Sequence, residues 1–175
     1  MAQIERQHGA HVHGQGSGTM AVDEQTVSLS LEMPGFNVVG FEHPPTSQAQ
    51  RAEIDSALTI FNTGQWLNMD PQGRCVVSKT SATAEGYNPG ADDGEAGHHH
   101  SHDHHDNDHH DHEGDHAYFE INVEAVCAAI DELEWVEINL FASFPNNERI
   151  TLDVLTQTGA LQARLDANTT RVDMQ

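Results

Sequence analysis

The sequence predicts an α+β fold, mainly antiparallel β with one clear amphipathic helix, in two halves joined by a disordered His/Asp-rich loop. Three observations carry that expectation. Apolar and polar residues alternate over several runs, the period of half-buried strands. One run, 47–64, instead places its apolar residues at three-and-four spacing. Between the two halves, GHHHSHDHHDNDHHDHEGDH at 97–116 is half histidine, and nearly all its other residues are acidic or small.

Residues 1–18 are rich in glycine and histidine without apolar periodicity and read as an extended lead-in. Met20 and Val22, then Val27, Leu29, Leu31 and Met33, alternate on either side of the polar turn Asp23-Glu24-Gln25, so 19–33 reads as a hairpin with one buried face. Pro34-Gly35 ends the second strand, and Phe36 to Glu42 is expected to continue as a bent apolar extension. His43-Pro44-Pro45 interrupts the chain before Thr46 or Ser47 caps the helix, whose face is Ala49, Ile54, Ala57, Leu58 and Phe61 and whose end is near Gly64. Short strands are expected at Trp66 to Met69 and Arg74 to Lys79.

Residues 84–115 hold so little apolar surface that they are expected to lack a fixed structure without a ligand. Alternation resumes at Ala117 to Cys127, followed by a mixed run at Trp135 to Phe141, a turn at Phe144 to Asn147, and strands at Arg149 to Leu155, Gly159 to Leu165 and Thr170 to Met174. The expected organisation is therefore an N-terminal half 1–83, a metal-collecting loop 84–115 and a mostly β C-terminal half 116–175.

Seven basic residues against 28 acidic ones give a formal net charge of −21. Such a surface repels nucleic acid and anionic membranes and suits cationic ligands. No run reaches the roughly 18 apolar residues of a membrane span. Met1-Ala2-Gln3-Ile4-Glu5 lacks the layout of a signal peptide, so an exported chain would begin here at its mature end behind an added Met. Cys75 and Cys127 lie outside any CxxC pattern. One disulfide in an oxidising compartment and two buried thiols both fit them.

Histidine supplies the candidate chemistry. His8, His11 and His13 lie in a glycine-flanked run, and in an extended chain His11 and His13 face the same way about 6 to 7 Å apart, near enough to share one ion. Neutral imidazoles with a carboxylate or water complete a tetrahedral zinc site. His43 sits beside the Glu42 carboxylate and is held by two prolines. His116 closes the tract and opens the next strand, and it is expected to be ordered where its neighbours are not.

Within the tract, His98, His99, His100, His102, His104, His105, His109, His110 and His112 alternate with Asp103, Asp106, Asp108, Asp111 and Glu113. Carboxylates beside imidazoles raise their basicity and attract divalent cations, so the tract is expected to serve as an auxiliary metal collector. A solvating spacer or a terminal purification tag explains it less well, because a spacer has no need of histidine and a tag is neither internal nor interleaved with aspartate. Below about pH 6.5 the histidines protonate, the tract reverses sign, and bound metal should leave.

Among catalytic signatures, GxSxG, HExxH, the P-loop and GxGxxG are all absent from the sequence. The expected protein is thus a metal binder and not an enzyme. A metal-dependent hydrolase built on His11, His13 and Glu42 is one alternative, and a nickel or copper storage or chaperone protein is another.

His8-Gly-Ala-His-Val-His-Gly14, Pro34-Gly-Phe-Asn-Val-Val-Gly-Phe-Glu-His-Pro-Pro45, the lone cysteines, the internal His/Asp tract and Leu140-Phe-Ala-Ser-Phe-Pro145 together resemble the ZrgA-like zinc-uptake-related periplasmic proteins of Gram-negative bacteria. The resemblance runs from residue 7 to about 165, and Gly-Phe-Glu-His-Pro-Pro is its most specific part. It implies an exported protein that binds zinc and assists its uptake beside an ABC-type zinc importer. It also implies a disulfide between Cys75 and Cys127 and, as ligands, His11, His13, His43 and His116.

Overall fold

In the computed structural model of the chain, residues 12–87 and 116–174 are described. The first hairpin forms as the alternation predicts. Strands β1 (Gln15–Asp23) and β2 (Thr26–Pro34) pair antiparallel from Ser17 opposite Glu32 to Asp23 opposite Thr26. After Pro34 the chain departs from the expected bent extension and forms a short helix, α1 (Gly35–Val39). Pro34 supplies a fixed φ at the entry, and Gly40 closes the turn at φ +81° with its N–H donating to the Phe36 carbonyl.

Helix α2 (Gln48–Thr63) lies where the three-and-four spacing puts it. The Ser47 hydroxyl accepts from the Gln50 N–H at 3.2 Å, and Gly64 at φ +63° stops the helix. Ile54, Ala57 and Phe61 are its buried stripe. Phe61 stacks on Phe144 at 4.8 Å and lies 5.7 Å from Phe119, which locks the helix to the core. Trp66 adds a hydrogen bond from its indole N–H to the Phe61 carbonyl.

The remaining strands are β3 (Leu67–Met69), β4 (Cys75–Glu85), β5 (Tyr118–Cys127), β6 (Trp135–Ile138), β7 (Arg149–Thr156), β8 (Gly159–Leu165) and β9 (Arg171–Asp173). The expected strand at 74–79 runs on to Glu85, because Thr80 to Ala84 find a full ladder on β5. Six strands make one sheet in the order β4-β5-β2-β1-β7-β8, antiparallel except where β1 meets β7. A three-stranded antiparallel sheet, β3-β6-β9, accompanies it. The large sheet therefore draws strands from both sides of 88–115. Its inner face, with Met20, Leu29, Leu31, Met33, Phe119, Ile121, Ile150 and Leu152, joins α2 and the second sheet in one core. Among the described residues no helix is long and apolar enough to cross a membrane.

Two features fix where the His/Asp tract is attached. Glu85 pairs with Tyr118 at one end of the β4–β5 ladder and Cys75 with Cys127 at the other, where the two cysteines form a disulfide. Residues 88–115 are thus the connection of an antiparallel pair, and their two stems lie side by side. Tyr87 then turns into the core, 4% exposed, although its neighbours in sequence are polar. Its hydroxyl donates to the Phe41 carbonyl at 2.9 Å. Burial, and then the nearby Glu42 charge, push the phenol well above its ordinary range, so it remains a donor. Across the stem, the Gly35 N–H donates to the Ala117 carbonyl at 2.7 Å.

Gly35 has no room for a side chain. A Cβ there would collide with the Tyr87 hydroxyl and stand 2.8 Å from the Phe41 carbonyl oxygen. Gly35→Ala is accordingly expected to lower the stability by about 2 kcal/mol, read as a fall in the urea midpoint, and an unchanged midpoint would contradict the tight seam. For the disulfide, Cys75→Ala combined with Cys127→Ala frees a loop of 52 residues in the unfolded chain. The chain-entropy cost is about 4 kcal/mol, which thermal or chemical unfolding would register directly.

Candidate metal centre

Glu42 leaves α1 two residues past the Gly40 cap and is only 12% exposed at its side chain. One carboxylate oxygen, Oε1, accepts the Phe36 backbone N–H at 3.4 Å. The other, Oε2, meets two imidazoles. Nδ1 of His116 lies 3.0 Å from it and Nε2 of His13 lies 3.4 Å from it. Both imidazoles are 59% exposed, so the carboxylate forms the protected floor of the group and the histidines its open rim.

Each histidine is placed by a different part of the fold. His116 immediately precedes Ala117, whose carbonyl is tied to Gly35, at the start of β5. His13 precedes Gly14, which adopts φ +81° and so reverses the chain just ahead of β1. The Gly14 N–H donates to Oδ1 of buried Asn37 at 2.7 Å, and its carbonyl accepts from the N–H groups of Glu148 and Arg149. The His13 ring stacks on Phe36, with centroids 4.5 Å apart and planes 20° apart. Three segments distant in sequence thereby meet at one carboxylate.

His43 is placed differently. Its Nδ1 lies 3.0 Å from the Pro44 carbonyl, and its ring lies 5.1 Å from that of Phe41. Glu42 is not among its partners. A carbonyl can only accept, so Nδ1 is the donor in that contact and Nε2 is not engaged by it. His8, His11 and the nine tract histidines from His98 to His112 lie outside the described residues.

The pairwise spacings suit metal chemistry. Two donors on one tetrahedral zinc at about 2.0 Å are about 3.3 Å apart, close to both the 3.0 and the 3.4 Å separations at Glu42. Among the described residues, however, no three His, Cys, Asp or Glu side chains are already gathered into a group able to hold an ion. Glu42 is in direct contact with each of the two imidazoles, and an ion would have to replace those contacts.

Sequence reasoning did not anticipate Phe36, Asn37, Tyr87 and Asn147, the residues that set this geometry. Phe36 and Asn37 were hidden by the extended reading of their segment, and Tyr87 by the polar run around it. Asn147 is 2% exposed and accepts from Nδ2 of Asn37 at 3.0 Å, a pairing 110 residues apart that no local pattern announces.

Comparison with known proteins bears on what these donors serve. No curated protein matches the sequence. A family model described as ZrgA family zinc uptake protein matches residues 10–174. That match includes His11, His13, Glu42, His43, the whole His/Asp tract and His116, and it takes in both cysteines of the disulfide. The chain belongs to the ZrgA family of zinc uptake proteins.

Proposed function

We propose that the protein is a periplasmic zinc-binding protein that assists zinc acquisition. The His/Asp stretch gathers the ion, and the ordered donors His13, Glu42 and His116 hold it for delivery to an ABC-type importer. His43, next in sequence to Glu42, and His11 and His8, just before His13, are the nearest candidates to complete the coordination. The observation that carries this reading is the Glu42 carboxylate held between two imidazoles at 3.0 and 3.4 Å, beside the point where the chain enters and leaves 88–115.

Several features support it. Family membership supplies zinc as the cargo. The formal charge of −21 draws cations and discourages anionic partners. A disulfide persists in an oxidising compartment such as the periplasm. The tract histidines are tethered at both ends beside the ordered donors, so an ion caught on the tract meets those donors at an effective concentration on the order of millimolar. Transfer is then an exchange of imidazole ligands within one chain.

Calorimetric zinc titration of the intact chain and of a version lacking residues 97–114 separates the two parts. The shortened chain is expected to keep one tight site and lose the weaker ones. Loss of all binding on deletion would overturn the ordered site and leave the tract as the whole device.

A further inference from the structure

We infer that Asn37 and Asn147 are positioning residues for His13, setting its imidazole against Glu42; the inference rests on the reading of His13 as a zinc ligand. Both amides are almost wholly buried, at 0% and 2% exposure. Burying amides is costly unless their hydrogen bonds are made, and an apolar pair would fill the same space without that cost. Here the bonds converge on the residue that follows His13. Asn37 Oδ1 accepts the Gly14 N–H at 2.7 Å, while Asn37 Nδ2 donates to Asn147 Oδ1 at 3.0 Å.

The clasp is completed from the other side. The Gly14 carbonyl accepts from Glu148 at 2.8 Å and from Arg149 at 2.9 Å, the residues next to Asn147. Both polar groups of Gly14 are therefore fixed, at a left-handed φ that aims His13 back over Phe36. Phe36 precedes Asn37 on α1, and its N–H holds Oε1 of Glu42. Adjacent residues of one helical turn thus fix the carboxylate and the backbone that carries the imidazole. The His13 side chain is 59% exposed, and an exposed pair at 3.4 Å contributes little by itself, so among the described residues its placement rests on the Phe36 stack and on the backbone at Gly14. Asn147 Nδ2 is buried with no acceptor among the described residues, so the Asn147 amide bears a desolvation cost that its bond to Asn37 offsets only in part.

A double-mutant cycle on the full chain tests this, with the tightest zinc affinity read by chelator competition for the native protein, Asn37→Ala, His13→Ala and the double variant. Asn37→Ala is expected to weaken zinc by about tenfold or more, His13→Ala by at least as much, and the double variant no further than His13→Ala alone. Equal weakening by Asn37→Ala in both backgrounds would overturn the inference, because the effect would not pass through His13. A weakened His13→Ala with an unaffected Asn37→Ala would overturn it too, while leaving His13 as a ligand. An unaffected His13→Ala would remove the ligand reading and the inference together. Should Asn37→Ala not fold, Asn147→Ala removes only the brace and keeps the Asn37 bond to Gly14, and the same cycle decides.

Discussion

The antiparallel placement of β5 between β2 and β4 is the constraint from which the rest of the site follows. On one side β5 pairs Tyr118 with Pro34, and on the other it pairs Tyr118 with Glu85. One rung of the sheet therefore brings together the entry to α1, the strand before the tract and the strand after it. The Gly35 to Ala117 hydrogen bond and the burial of Tyr87 seal that rung. Glu42, tied to α1 through Phe36, meets His116, the residue that opens the next described segment, across this rung. Because the β4–β5 ladder runs from this rung to the disulfide at Cys75 and Cys127, with one register shift between Val77 and Lys79, the candidate site and the covalent crosslink stand at opposite ends of one strand pair.

How much of this was legible in the sequence depended on period and length. Strands with a dry face, such as Val27 to Met33 and Phe119 to Cys127, announce themselves because every second residue is apolar. α2 does so through Ser47, Gly64 and its apolar stripe. α1 could not, since five residues complete little more than one turn and carry no detectable period. The far half of β4 was hidden for a different reason. Thr80, Ser81, Ala82, Thr83 and Ala84 are small and none is fully buried, so their strand character comes from the partner and not from the pattern.

The candidate site was legible as separate residues and not as a constellation. His13, Glu42, His43 and His116 could each be marked by chemistry and neighbours alone. That Glu42 meets His13 and His116, while His43 binds the Pro44 carbonyl, follows from pairings between distant segments that the sequence does not encode locally. Tyr87 shows the limit most clearly, because one aromatic ring in a polar run is weak as a pattern, yet its hydroxyl fits against side-chain-free Gly35 and bonds the Phe41 carbonyl.

The role proposed for His13, Glu42 and His116 is to hold the zinc that the family takes up. Anomalous diffraction at the zinc edge, from crystals of the full chain given one equivalent of zinc, tests it most directly. The expected result is a peak within about 2.0–2.2 Å of nitrogen atoms of His13 and His116 and of a Glu42 oxygen. A peak confined to the histidines from His98 to His112, with the Glu42 contacts unchanged, would contradict it.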